Sequence, residues 1–207
     1  MDVMKALKER RAISFFDSGR EVGRSMVEEL VDTANLSPSS YNLQPWEVIV
    51  VQTPEKKKLL RSLAYNQAKV EEASAVLIII ADPGAVEANI DDVLKSQVEL
   101  GYIKPDEVQK SRKGPFSLYG DPDSVTRKIW ATKNTAFFAM SLMIAARGLG
   151  LETHPMDGFK EAKVKEAFSI PDNRIVPLLI AVGYPKEGAK LLPRAFRRAR
   201  EKFVRFV

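Results

Sequence analysis

Two stretches of the chain are apolar at every position, so both faces of the element must be covered. AVLIIIA, Ala75 to Ala81, reads as a central buried strand, and IVPLLIAVGYP, beginning at Ile175, as a second. WEVIVV, Trp46 to Val51, has the length and β-branched content of a third. Between them the apolar positions recur at helical spacing. Val3 and Leu7 mark a short amphipathic helix running into an extended segment at Ile13 to Phe16. Met26, Val27, Leu30, Val31 and Ala34 mark a helix over Ser25 to Leu36. Pro54 opens a helix over Glu55 to Ala64 with Thr53 as its N-cap, and another covers Ala85 to Leu100. The longest, Ser124 to Arg147, has no breaker before Gly148 and Gly150 and reads as the most buried helix. LETHP then forms a short connecting piece, and GFKEAKVKEAFSI a helix with Phe159, Val164 and Phe168 on one side. Lys104 to Asp123, polar and carrying glycines and prolines, is expected to be a mobile excursion. Neither repeat nor linker interrupts this order, which predicts one α+β domain over residues 1–207.

Composition narrows the chemistry. With 45% hydrophobic and 29% charged residues the chain can bury a core and stay soluble. It has no cysteine, which excludes disulfides, thiolate nucleophiles and Cys-ligated metals. With His154 as the one histidine, no metal site is expected, and chemistry carried by an organic cofactor is favoured over a side-chain nucleophile. The N-terminus lacks a signal-peptide core and no apolar run reaches about 18 residues, so a cytoplasmic protein with no membrane partner is expected. The net charge of +5 is spread except at LLPRAFRRAREKF, which reads as a solvated face or an anion contact rather than a nucleic-acid surface. No G-x-G-x-x-G or G-x-x-x-x-G-K follows a strand, so a nucleotide-like cofactor needs another holding device.

Four segments place polar or cationic groups where the fold should close. Arg10, Arg11 and Ser14 can hold a phosphate, or be a solvated helix end. SPSSYNLQPW, Ser37 to Trp46, offers hydroxyls, amides and backbone donors before a strand, or is a polar turn. Asn66 and Lys69 precede the buried strand, where a helix C-terminus also welcomes a cation. HPMDGF puts Gly158 where a ligand could approach the backbone, or is a strand-to-helix turn with Asp157 near the helix start.

In order and spacing these segments resemble the nitroreductase family of FMN flavoenzymes. The resemblance rests on the arginine pair, on PSSYNLQPW (Pro38 to Trp46), on Asn66-x-x-Lys69 and on GLGLETHPMDGF (Gly148 to Phe159). It implies a nitroreductase-like three-layer fold, a central mixed sheet flanked by helices, in an intertwined homodimer with FMN in two clefts at the interface. Arg10, Arg11 and Ser14 would then serve the phosphate and ribityl region. Pro38, Ser39, Ser40, Asn42 and Gln44 would close the site from the other subunit. Asn66 and Lys69 would face the pyrimidine end, and Pro155, Met156, Asp157 and Gly158 the flavin ring, with the Asp157 backbone N–H at the hydride-accepting nitrogen. Arg194, ahead of Arg197, would return to the phosphate. Tyr41, Phe116, Leu118 and Tyr119 are candidates for the acceptor pocket.

The family pattern has Ser after the arginine pair and a basic residue two positions later, where this chain has Ala12 and Ser14. The implied activity is hydride transfer from NADH or NADPH through FMN to a small acceptor such as a nitroaromatic or quinone, by a ping-pong mechanism. The alternatives are a specialised flavin-site enzyme (reductive dehalogenase, enoate reductase or flavin-destroying oxygenase) and a non-catalytic FMN-binding or storage protein.

Overall fold

The computed structural model describes residues 2–207. Four strands, β1 (Trp46–Val51), β2 (Ala75–Ala81), β3 (Glu152–Met156) and β4 (Ile175–Gly183), lie side by side in the order β1, β2, β4, β3. Every pairing between them is antiparallel, with Val48 opposite Ile79, Ile78 opposite Leu179 and Met156 opposite Leu179. The resemblance implied a mixed sheet, and the four strands that one chain contributes pair antiparallel throughout. The helices α3 (Pro54–Leu63) and α4 (Lys69–Glu72) return the chain to the end of the sheet it left, so β2 starts beside the finish of β1. Among the described residues the one parallel contact is an isolated bridge from Ala12 to Thr153 on the outer edge of β3.

Alternation along β2 explains its unbroken apolar run. Val76, Ile78 and Ile80 pack with Leu60 of α3, Val70 of α4 and Val164 of α8 (Glu161–Ala167). Leu77 and Ile79 face the other way, onto Val27 and Leu30 of α2 (Arg24–Ala34) and Phe138 and Leu142 of α7 (Val125–Gly148). The result is three layers, helix on sheet on helix. A third cluster joins α5 (Ala85–Glu99) to Leu43, Tyr119 and Trp130. Ser124 caps α7, its hydroxyl accepting from the Arg127 N–H at 3.1 Å, and Gly150, at φ +75°, turns the chain into β3.

Sequence patterning misplaced two elements. LETHP is not a mere connection: it is most of β3, and Pro155 is tolerated there because β3 is an edge strand that need not donate on its outer side. Nor is Lys104 to Asp123 a loop. Pro105 opens a 3₁₀ turn, where a missing N–H costs nothing, and α6 (Val108–Tyr119) follows despite Pro115 within it. Val108, Phe116 and Tyr119 supply the apolar face that holds α6 against α5 and α7. Thr53 takes the N-cap position of α3, but its side chain makes no capping hydrogen bond. α1 (Val3–Glu9) leads into the extended segment as expected.

Among the described residues, Val125, Ile129 and Phe137 along α7 and Leu192, Phe196, Phe203 and Phe206 in the C-terminal arm are exposed apolar side chains.

Candidate functional site

The N-terminal segment runs along the outer edge of β3, held by the Ala12 bridge and by the Ile13 N–H donating to the Thr153 carbonyl at 3.1 Å. The C-terminal arm lies against it. Arg11 donates through Nη2 to the Leu192 carbonyl at 2.8 Å, and Arg194 through Nη2 to the carbonyls of Lys8 and Arg10. Arg197 donates to carbonyls of its own turn, Ala195 and Phe196. Burial, and then the guanidinium groups of Arg194 and Arg197, pull the Arg10 pKa below its ordinary value, while Glu152 opposes them. Arg10 Nη1 is buried without a hydrogen-bond partner. A buried donor left unpaired among like charges is unfavourable unless an anion binds there. Ser14, by contrast, is exposed, as is Ala12.

A second group joins α4 to the loop after β3. Lys69 Nζ donates to Gln67 Oε1 at 2.8 Å, and Gln67 Nε2 donates to the Gly158 carbonyl at 2.8 Å. Burial lowers the Lys69 pKa, so its ammonium is poorly solvated and responsive to a negative charge. A Cβ on Gly158 would come within 3.3 Å of Gln67 Nε2, which ties the glycine to this close packing. Tyr65 and Asn66 both have positive φ, 50° and 55°, and the Asn66 side chain is exposed. Pro155 is half-buried and Asp157 exposed, while the Met156 side chain is in the core. From Met156, only the backbone is open to a ligand. His154 Nδ1 lies 2.9 Å from the Ile13 carbonyl, which ties this group to the N-terminal segment.

The Pro38 to Gln44 segment is a different structure in a different place. Tyr41, Asn42 and Gln44 all have positive φ, at 58°, 55° and 45°, and non-glycine residues hold such angles only when surroundings over-determine them. Those surroundings are visible. The Ser39 hydroxyl accepts from the Gln44 N–H, the Ser39 carbonyl from the Asn42 N–H, and the Asn42 carbonyl from Gln44 Nε2, each at 2.9 Å. The Ser40 N–H donates to Asn134 Oδ1 at 2.9 Å, and the Ser40 and Tyr119 hydroxyls share a short hydrogen bond. Pro38, Ser39 and Ser40 border a shallow hollow of about 280 Å³ completed by Lys133, Asn134 and Phe137. Tyr41 meets Tyr119 edge-on at 6.1 Å, and Tyr119, only 6% exposed, stacks on Trp130 at 5.0 Å. Phe116 is half-buried under Arg112, and Leu118 points to solvent.

This segment enters β1 at one edge of the sheet, whereas the arginine cluster lies outside β3 at the other. Three strand spacings, about 14 Å, separate the two edges. One chain thus brings Arg10, Arg194, Lys69 and Gly158 to one side and leaves Pro38 to Gln44 on the opposite one. Two participants escaped the sequence reading. Gln67 bridges Lys69 and Gly158, and Asn134 holds Ser40 while donating through Nδ2 to the Trp130 carbonyl. The place of Asn134 on the buried stripe of α7, four residues after Trp130 and four before Phe138, was the available signal for the latter.

Among the described residues no group of three or more His, Cys, Asp or Glu could hold a metal, and no helix is long and apolar enough to cross a membrane.

Residues 7–184 match the sequence profile of the nitroreductase family. A Thermus thermophilus protein named NADH dehydrogenase is 32% identical over 187 residues, covering 90% of this chain and 88% of its own. The structure of a Bacillus subtilis protein described as a nitroreductase, ydfN, superposes with a TM-score of 0.92 at 28% identity, covering 99% of this chain and 98% of its own. An Exiguobacterium sibiricum protein, described as a nitroreductase and solved in complex with FMN, has a TM-score of 0.89 at 25% identity, covering 100% and 97%.

Proposed function

This chain belongs to the nitroreductase family, and on that premise we propose that it is an FMN-dependent oxidoreductase acting as a homodimer. It takes hydride from NADH or NADPH and delivers it to a small acceptor, a nitroaromatic or a quinone, in the cytoplasm. The observation that carries this reading is the Arg10, Arg194 and Arg197 cluster with its unpaired buried Nη1, beside the Lys69–Gln67–Gly158 chain. These residues fit FMN: an anion for the guanidinium groups at one end, and a ring that gains negative charge for Lys69 at the other.

Bound FMN supplies a carrier that accepts hydride in one half-reaction and gives it up in the next. The protein's part is to bind, orient and stabilise. Arg10 and Arg194 hold the phosphate, Arg11 anchors the C-terminal arm, and Gln67 fixes the Lys69 ammonium where charge develops. The Asp157–Gly158 backbone offers its N–H groups to the ring without side-chain obstruction. The partner's copy of the Pro38 to Gln44 segment completes the cleft, since within one chain that segment is on the wrong edge. Donor and acceptor take turns in one place, so no side-chain nucleophile is needed.

Purified protein should be yellow, with the absorption of bound flavin. It should oxidise NADH or NADPH steadily when a quinone is supplied, with parallel-line initial-rate plots. Colourless protein that takes up no added FMN refutes the cofactor assignment. Yellow protein without turnover on any nicotinamide supports storage instead.

A further inference from the structure

Next to this cleft stands a titratable group to which hydride transfer gives no task. His154 lies on β3 immediately before Pro155, three residues from Asp157, and is the only histidine of the chain. Its Nδ1 contacts the Ile13 carbonyl at 2.9 Å. A carbonyl can only accept, so Nδ1 carries the proton and Nε2 is the basic nitrogen of the neutral ring. The Ile13 N–H in turn donates to the Thr153 carbonyl, so the ring orientation is fixed by a segment that is itself bridged to β3.

The charged group acting on the imidazole is Lys69 of α4. Of the remaining charges on the surrounding elements, Arg10 of the N-terminal segment and Glu152 of β3 act on one another, and Arg147 of α7 pairs with Glu152. Ser14, one residue past the bonded carbonyl, brings no charge.

We propose that His154 is a positioning residue for the redox step, taking one proton from solvent at Nε2 when the cofactor is reduced and standing as an imidazolium beside Lys69. The proposal rests on the reading of this cleft as the FMN site. Hydride carries two electrons and one proton, so the nicotinamide leaves oxidised and the bound cofactor gains one negative charge. In the oxidised protein, burial and then the Lys69 ammonium push the His154 pKa below its ordinary 6.5 and keep the ring neutral. Negative charge arriving near Lys69 cancels that repulsion and makes protonation of His154 favourable. One solvent proton taken up by Nε2 then offsets the added charge. When the acceptor removes the hydride, the charge is gone and the proton returns to solvent.

Because His154 is the sole histidine, its ring resonances report it without assignment ambiguity. NMR titrations of the apoprotein, the oxidised FMN complex and the dithionite-reduced complex give three proton affinities. The expected result is a pKa below 6.5 in the first two and a proton affinity about tenfold or more higher in the reduced complex. In parallel, the midpoint potential of wild type should depend more steeply on pH, between the two His154 pKa values, than that of His154→Gln. Equal proton affinities in the oxidised and reduced complexes, or equal pH slopes in the two proteins, overturn the proton uptake and leave the FMN assignment standing. Failure to bind FMN at all overturns both.

Discussion

Arg10 and Lys69 are both cations of the proposed FMN cleft, yet they should fail in different ways. Arg10 offers a buried, unpaired donor to an anion, and a charge-assisted hydrogen bond of this kind contributes roughly 1.5–3 kcal/mol. Arg10→Ala should therefore weaken FMN binding about ten- to a hundredfold in a fluorescence titration, with the potential of the flavin that remains bound little changed. On the proposed reading Lys69 meets charge that exists only after reduction, so Lys69→Met should keep FMN and lower its potential in a reductive titration at fixed pH and salt. His154 adds a pH dependence to the apoprotein. Its folded pKa is depressed by burial and by Lys69, so the unfolded chain binds the proton more tightly. The stability it contributes is present above about pH 6.5 and lost as pH falls through the folded value. Asp82 and Glu152, raised by burial, act with the opposite sign at lower pH. The difference in urea midpoint between wild type and His154→Gln should thus change below about pH 6.5 and be flat above about pH 7.5.

At the scale of elements, α7 shows which force dominates. Ser124 caps its N-terminus and Phe138 is fully buried between the helix and the sheet. Losing a cap costs about 1 kcal/mol, whereas emptying a buried Phe site costs about 3–5 kcal/mol. Urea unfolding should rank Phe138→Ala well below Ser124→Ala, and equal midpoints would mean that α7 is not the keystone of its layer. The same weighting explains which elements could be read from sequence. α7, β1 and β2 carry long, unambiguous apolar patterns, and all three begin or end within one residue of the expected bounds. β3 and α6 do not. ETHPM contains a proline and no alternation, and becomes a strand because β4 offers it a free edge. α6 contains Gly114 and Pro115, and is held by contacts from Phe116 and Tyr119 rather than by propensity.

For the whole molecule, the proposed homodimer accounts for the separation of the two half-sites across the sheet and for the uncovered faces of α7 and the C-terminal arm. Sedimentation should give about twice the 23.1 kDa of the chain. Ile129 is 61% exposed, so a charge there should be nearly neutral for an isolated subunit, within about 0.5 kcal/mol. Ile129→Asp should instead yield a monomer that has lost FMN. A variant that sediments as a monomer and keeps its flavin would exclude a shared site.

Sequence alone determined the α+β class, the two apolar strands β2 and β4, the long helix α7 and the family, because each is written in local periodicity or in a contiguous motif. PSSYNLQPW and HPMDGF are legible for that reason. Tertiary structure decided what joins residues far apart in the chain. It made the sheet antiparallel, since strand direction depends on where the helices return the chain. It set Arg194 rather than Arg197 against the Arg10 backbone, since a stretch without regular secondary structure takes its register from what it packs on. It also joined Gln67 to Gly158, Asn134 to Ser40 and His154 to Ile13, contacts spanning 91, 94 and 141 positions. No periodicity encodes such pairs, because a hydrogen bond between distant residues exists only once packing has brought donor and acceptor within about 3 Å.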